Sequence, residues 1–216
     1  MRCTISLMKK ILLLLITASA LRQNAFCQNI LGFKAGLNLA NQAKNFTTPQ
    51  NPTPQPNKTK PLWGYQFGVF YKAKMNNHWA FSAETNFSLI GSKAEYLTEE
   101  QILNPDGTTH YYNDKIGYIE IPLTLQYKLN RLYFGAGPAI AFKVFSKITN
   151  FENSTYKTPY YKTLDASANV LTGYQLSKKW DLNFRYSYGL LNIHEDNIYV
   201  KTKNRFFNLS VLYSLK

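Results

Sequence analysis

Cysteine is rare in this sequence of 216 residues, and both cysteines, Cys3 and Cys27, lie near its start. If that start is removed during export, as argued next, the remaining chain has no disulfide, no thiol nucleophile and no cysteine-ligated metal. This excludes a small secreted fold stapled by disulfides, and it excludes enzymes that use a cysteine.

Long apolar runs are also scarce, with one exception at the start of the chain. Residues 11–21 are almost wholly apolar, basic residues precede them, and small side chains follow at the two positions that a signal peptidase reads. A lipoprotein anchor on Cys27 would favour a small residue in place of Phe26, and a retained transmembrane helix would need about 20 apolar residues. The sequence therefore predicts a cleaved signal peptide over residues 1–27, followed by one domain over residues 28–216.

Acidic residues are few, and the chain after residue 27 is strongly basic. Four of the 25 Lys and Arg residues lie in the predicted signal peptide, whereas all 12 Asp and Glu residues follow it, which leaves a net charge of +9. Nucleic acid is a common partner of basic proteins, but an exported protein rarely meets it. Anionic lipid headgroups are therefore the expected partner.

Apolar and polar side chains alternate along nearly the whole of this domain. Between Trp180 and Leu190 every even-numbered residue is apolar or aromatic, whereas the odd-numbered residues are Asp, Asn, Arg, Ser and Gly. A period of two indicates β-strands, and helical spacing fits none of these stretches. Eight such strands are predicted, over residues 29–40, 62–75, 78–92, 115–129, 131–145, 161–176, 179–191 and 204–216.

The connections between these segments alternate between short and long. Tight turns at residues 75–78, 130–131 and 177–178 alternate with loops over residues 41–61, 93–114, 146–160 and 192–203. The segments also exceed the ~9–11 residues that a tilted strand needs to cross a bilayer. The pattern predicts an all-β fold, an antiparallel up-and-down transmembrane β-barrel of about eight strands with short periplasmic turns and long extracellular loops. Because an open edge would leave backbone groups unsatisfied in lipid, the first and last strands are predicted to pair.

Aromatic residues cluster near the predicted strand ends, where the membrane boundaries should lie. The set near the short turns is Tyr71, Trp79, Tyr127, Tyr174, Trp180 and Tyr213. The set near the long loops is Trp63, Tyr65, Phe142, Phe145, Tyr188 and Phe207. Two aromatic girdles at the headgroup regions are typical of membrane barrels.

Four short stretches resemble a known family. They are Gly-Phe-Lys-Ala-Gly-Leu-Asn at residues 32–38, Tyr-Ile-Glu-Ile-Pro-Leu at 118–123, Gly-Ala-Gly-Pro at 135–138 and Phe-Arg-Tyr at 184–186. Through them, nearly the whole chain after residue 27 resembles the outer-membrane β-barrel family of the Bacteroidota, also called porin family or PorT-like proteins. The resemblance implies an integral protein of the cell outer membrane. The family includes a component of a gingipain-type secretion system, so an accessory role in secretion or assembly remains open.

Four charged residues are predicted to point into the barrel: Lys34, Glu84, Glu120 and Arg185. Counted from the turns, the first, second and fourth lie at similar heights. An eight-stranded barrel is just wide enough for side chains to fill it, and charges inside it must be paired or solvated. The four residues therefore form either a salt-bridge network that closes the lumen or a path for protons or ions.

The sequence argues against an enzyme. Barrel hydrolases that deacylate lipid A resemble Ser-His-acid enzymes, with a histidine and a serine two residues apart on a strand. Here His78, His110 and His194 are predicted to lie in turns or loops without such a serine, and Ser187 has no histidine beside it. No base is therefore placed to activate a nucleophile. Three separated histidines also make a poor metal site, and we expect no metal and no cofactor.

Basic residues are concentrated in the predicted long loops and their flanks. They are Lys143, Lys147, Lys157, Lys162, Lys201, Lys203 and Arg205. Facing the outer leaflet, they either hold lipopolysaccharide phosphates through charge-assisted hydrogen bonds or form a solvated rim. The loop over residues 41–61 contains five prolines and is either a binding segment for a protein partner or a solvated surface feature.

Three functions remain open at this point. The first is a structural or surface-interaction barrel whose lumen is filled by side chains. The second is a narrow porin-like channel for small solutes or ions, and the third is an accessory component of an outer-membrane secretion or assembly system. The small interior expected of eight strands favours the first.

Overall fold

The computed structural model describes residues 29–46, 55–57, 59–96, 110–149, 154–157, 161–194 and 200–215. The predicted signal peptide lies outside these residues. So do the central parts of the four predicted long loops, including most of the proline-rich segment.

The described residues form ten β-strands. They are β1 (Asn29–Phe46), β2 (Gln55–Asn57), β3 (Thr59–Lys74), β4 (Trp79–Tyr96), β5 (His110–Leu129), β6 (Leu132–Thr149), β7 (Thr155–Lys157), β8 (Leu164–Gln175), β9 (Trp180–Gly189) and β10 (Val200–Ser214). Eight of them are long, from 10 residues in β9 to 20 in β5, and β2 and β7 have three residues each. The described part of the chain contains no helix that is long and apolar enough to span a membrane.

The eight long strands close into a barrel. Each pairs antiparallel with the next one along the chain, and β10 returns to pair with β1 from Gly32↔Ser214 to Phe46↔Val200. The short strands extend this sheet at its edge, β2 beside β1 and β7 beside β6. The predicted eight-stranded up-and-down barrel and the pairing of its first and last strands are confirmed.

The tight turns lie together at one end of the barrel, here called the turn end, and the opposite end is called the loop end. Asn76 Oδ1 accepts hydrogen bonds from the backbone N–H groups of His78 (2.9 Å) and Trp79 (2.8 Å), which closes the first turn. Ser177 Oγ does the same for Trp180 in the third. Asn130 in the second has a φ of 54°, in the left-handed region that asparagine tolerates.

The strands reach further toward the loop end than the sequence predicted. β1 continues to Phe46, β10 begins at Val200, and β5 begins at His110, which was predicted to lie in a loop. These extensions are polar, so they lack the apolar alternation on which the prediction depended. They still pair, because ladder hydrogen bonds need only the backbone. Conversely, β8 begins at Leu164, three residues later than predicted.

The barrel wall has the opposite polarity to a soluble protein, with its apolar face outside and its polar face inside. Leucine, phenylalanine and valine side chains cover the outside, where Leu37 is 56% exposed and Trp63 is 67% exposed. Polar side chains such as Asn38, Asn86 and Asn208 are buried inside. The two predicted aromatic sets lie on the outer face, as in membrane barrels with an apolar exterior and a polar interior.

Candidate functional site in the barrel lumen

A charged cluster occupies the middle of the lumen, on strands β1, β4 and β9. Lys34 Nζ lies 3.0 Å from Glu84 Oε2, and Arg185 Nη2 donates to Glu84 Oε1. Glu84 Oε2 also accepts a hydrogen bond from Asn86 Nδ2 at 2.9 Å. All these side chains have the strand parity that faces the lumen, so one carboxylate is held by two cations and an amide.

Glu120 on β5 completes this cluster. Its Oε2 accepts a hydrogen bond from Ser88 Oγ at 3.1 Å, and it is near enough to Arg185 and Lys34 to interact with both charges. Two cations and two carboxylates therefore lie together, each 4% exposed or less. We call these four residues the central cluster. Their charges cancel, which satisfies the requirement that buried charges be paired.

Two further salt bridges lie toward the ends of the lumen. Near the turn end Lys72 Nζ lies 3.3 Å from Asp181 Oδ2 and 4.7 Å from the centre of the Tyr133 ring. Near the loop end Lys44 Nζ lies 3.3 Å from Asp114 Oδ2. The described part of the lumen therefore has ion pairs at its middle and near both ends.

An apolar layer, called the collar below, separates the central cluster from the loop end. Its members are Ala40, Ile90, Ile116, Tyr118, Tyr161, Ile193 and Phe206. Five belong to barrel strands, whereas Tyr161 and Ile193 belong to the chain between strands and fold inward over the lumen. Tightly packed apolar side chains exclude water from this section.

Tyr161 is fixed in the collar by polar contacts at both ends of the residue. Its hydroxyl donates to Asp114 Oδ2, its carbonyl accepts from Lys143 Nζ, and it forms an isolated β-bridge with His194. Burial, reinforced by the neighbouring Asp114, raises the pKa of the Tyr161 hydroxyl. The hydroxyl therefore stays protonated at neutral pH and remains a donor.

A small void lies between the collar and the central cluster. It measures about 10 Å³ and is lined by residues that include Ser88, Glu120, Asp165 and Asn204. Asp165 is buried here and accepts a hydrogen bond from Asn204 Nδ2 at 2.8 Å. The void has room for roughly one water molecule.

The sequence matches the family model described as outer membrane protein beta-barrel domain over residues 25–195. The chain belongs to this outer-membrane β-barrel family. It is an integral protein of the outer membrane, and the loop end of this outer-membrane barrel is its extracellular end.

Several solved outer-membrane barrels have a similar fold. They include Ail, the attachment invasion locus protein of Yersinia pestis (10% identity, covering 87% of this chain and 99% of Ail, TM-score 0.47). OprG of Pseudomonas aeruginosa is 12% identical (87% and 95%, TM-score 0.45), and the protease OmpT of Escherichia coli is 10% identical (89% and 99%, TM-score 0.42). At such low identity the likeness concerns the fold alone. Among curated protein sequences, none matches this outer-membrane barrel.

The basic residues predicted to face the outer leaflet of this outer-membrane barrel occupy different positions. Lys147, Lys157, Lys201 and Arg205 are exposed, and Lys203 and Lys162 are half-buried. Lys143 differs from the prediction, because its Nζ donates to the Tyr161 carbonyl. Lys143 keeps the inward parity of Tyr133 and Ala139 along β6, whereas a register irregularity beyond it turns Phe145 and Lys147 outward.

Several functional residues were missed by sequence reasoning. Lys44 and Asp114 near the extracellular end were missed because the predicted strands did not reach them, and Tyr161 was missed because it was predicted to begin a strand. Extending the alternation would have found Lys44 from Lys34 on β1, and Asp114 from Glu120 on β5. No comparable signal marks Tyr161, because it lies outside the strands.

Within the described residues, no three His, Cys, Asp or Glu side chains are grouped so that they could hold a metal ion together. His78 stacks on Tyr127 at 5.7 Å on the outside of a turn, and His194 contacts Tyr161. These two histidines belong to opposite ends of the barrel, so they cannot share a ligand.

Proposed function

We propose that this outer-membrane protein is a non-conducting barrel that acts through its outer surface and has no catalytic role. The supporting observation is the filling of the described lumen by side chains, with ion pairs at its middle and near both ends and with the collar above the central cluster. In an eight-stranded barrel the interior is only wide enough for such side chains. The work of the protein is therefore assigned to its exterior and its loops.

The charge distribution supports a surface that binds anionic lipid. Every Asp and Glu whose side chain is described is buried: Glu84, Asp114, Glu120, Asp165 and Asp181. The basic residues Lys147 and Lys157 are exposed near the extracellular end. Outer-leaflet phosphates, including those of lipopolysaccharide, are the matching partners, since charged hydrogen bonds to phosphate are among the stronger ones. The extracellular loops are assigned to contacts with a protein partner.

Single-channel recording of the refolded exported chain in a planar bilayer tests this proposal. We expect no conductance steps, because the collar and the central cluster fill the lumen. An open porin refolded in the same lipid is the control for the recording. Reproducible ion-selective steps that change when Lys34, Glu84, Glu120 or Arg185 is substituted would show instead that these residues line a water path.

A narrow channel is the second candidate, and one observation favours it. Arg185 Nε and Nη1 and both polar atoms of the Gln66 amide are buried without a hydrogen-bond partner among the described residues. Buried polar atoms usually find a partner, and water is the usual one where protein offers none. A hydrated lumen below the collar would conduct if the collar opened, and the same recording distinguishes the two candidates.

A further inference from the structure

Three lysines lie directly opposite one another on neighbouring strands near the extracellular end. Lys115 on β5 pairs with Lys147 on β6, and Lys147 pairs with Lys157 on β7. Residues directly opposite in an antiparallel pair point to the same face. Lys147 and Lys157 are exposed, so this face is the outer one. We call these three residues the lysine row.

The lysine row is unfavourable on its own. Neighbouring strands are about 4.8 Å apart, and like charges directly opposite each other destabilise a sheet. Every described acidic side chain is buried, so none of them neutralises the row. An anion bound from outside would turn this repulsion into attraction.

An aromatic surface lies on the membrane side of the row. Phe145 rests against Gly117, where a larger side chain would collide with its ring. The ring centres of Phe145 and Phe87 are 6.4 Å apart, and those of Phe87 and Phe67 are 5.3 Å apart. Lys147 Nζ lies 5.5 Å from the centre of the Phe145 ring, so charge and aromatic surface are continuous.

We propose that the lysine row binds a phosphate of an outer-leaflet glycolipid, with an acyl chain of that lipid lying on Phe145, Phe87 and Phe67. A phosphate offers three oxygens and up to two negative charges to three ammonium groups. The aromatic surface places the acyl chain below the phosphate, in the order in which they occur in a lipid. This proposal rests on the proposed function, because it specifies where the outer surface binds lipid.

The basic residues of β10 provide a contrast on the other side of the barrel. Lys201, Lys203 and Arg205 follow one another along a single strand, so alternate side chains are about 6.6 Å apart rather than directly opposite. Arg205 Cζ lies 4.9 Å and Lys203 Nζ 6.0 Å from the centre of the Tyr188 ring, which already attracts both cations. The same number of charges is therefore present with a different geometry.

Lipid binding by the exported chain in phosphatidylcholine nanodiscs tests the site. The probes are bisphosphorylated lipid A and the same lipid A with its phosphates removed. The test variant is K115Q/K147Q/K157Q, and the matched control is K201Q/K203Q/R205Q, which also loses three charges. We expect the test variant to bind bisphosphorylated lipid A at least about tenfold more weakly, because charged hydrogen bonds are lost. The control should remain within about threefold of the unmodified protein, and phosphate-free lipid should bind weakly to all three proteins.

The possible outcomes distinguish a failure of the lysine row from a failure of the proposed function. Equal losses in both variants would overturn the lysine row as the site while leaving a diffuse lipid-binding surface. If the unmodified protein did not bind bisphosphorylated lipid A, both the lysine row as a site and the proposed lipid-binding surface would be overturned.

Thermal melting in a neutral detergent is the second readout. K147Q should raise the Tm by removing repulsion, whereas K201Q should leave the Tm unchanged. A lower Tm for K147Q would contradict the argument for the row.

Discussion

Glu84 shows how a single residue organises the lumen. It receives Lys34 on one oxygen and Arg185 on the other, and Asn86 holds its carboxylate from the same strand. The three charged residues come from three different strands, so this contact fixes how those strands are arranged around the barrel. Removing the carboxylate would leave two buried cations with only Glu120 to compensate them.

We predict that Glu84→Gln lowers the free energy of unfolding by about 3 kcal/mol, the scale found when one partner of a buried ion pair is removed. Urea titration in detergent micelles, followed by tryptophan fluorescence, measures it. Asp181→Asn is the control, because its pair with Lys72 is more exposed, at 11% for each side chain, and its loss should cost less. Equal losses for the two variants would contradict the special role given to Glu84.

The collar is a feature of elements rather than of single residues, because strands and inter-strand segments contribute to it together. Tyr161 and Ile193 lie close to each other, with the Lys162 N–H donating to the Ile193 carbonyl at 2.7 Å. The Tyr161 hydroxyl then joins this pair of segments to Asp114 on β5. Together with the bonds from Lys143 Nζ to the Tyr161 carbonyl and from the Ile193 N–H to the Thr202 carbonyl, it connects these two segments, which cap the lumen, to the barrel wall.

We predict that Tyr161→Phe loosens the cap without unfolding the barrel. Amide hydrogen exchange should accelerate around residues 161–163 and 193–194 and remain unchanged in β3 and β4. Tyr156→Phe is the matched control, because Tyr156 is 60% exposed on β7 and its hydroxyl should matter little. Burial raises the pKa of the Tyr161 hydroxyl, so this hydroxyl should stay protonated and hold the cap at neutral pH. It should release the cap only above the ordinary tyrosine range near pH 10. Unchanged exchange in Tyr161→Phe would contradict this role for the hydroxyl.

The elements differ in how far the sequence could predict them. Apolar alternation on β9 and β10 predicted both the strands and their outward faces, because lipid demands apolar side chains there. The extensions of β1 and β5 beyond the membrane face water, so nothing in the side-chain pattern distinguished them from loops. Lys143 follows the regular alternation of β6, so its inward position could have been predicted. The outward position of Lys147 depends on an irregularity of register, and the inward fold of Tyr161 depends on tertiary contacts. Neither leaves a trace in a single sequence.

For the whole molecule, the sheet has no unpaired edge among its long strands, because β10 returns to β1. Detergents that denature soluble domains therefore have no exposed strand edge at which they could separate a strand from the sheet. The central cluster was predictable at this scale from parity and height alone. The lysine row was not, because pairing Lys115 with Lys147 requires the register across the irregularity on β5 and β6.

We predict heat-modifiable migration of the refolded protein. On a denaturing gel the unheated sample should run as a compact species, and the boiled sample should run more slowly at its full mass, 24.9 kDa before any signal peptide is removed. The compact species should also persist at room temperature in Tyr161→Phe, since that variant leaves the ladder intact. A single position for heated and unheated samples would contradict a closed barrel.

The β1–β10 pairing also constrains how the molecule can assemble. It joins residues at nearly the greatest separation along the described chain, and contacts between distant residues form slowly. Until it forms, two strands carry unsatisfied N–H and C=O groups, each costing several kcal/mol in lipid. A half-inserted sheet is therefore a high-energy intermediate, and membrane insertion and ring closure should occur as one cooperative step. The rate of that step, more than the strength of any one contact, would then set how quickly newly exported chains reach their native state.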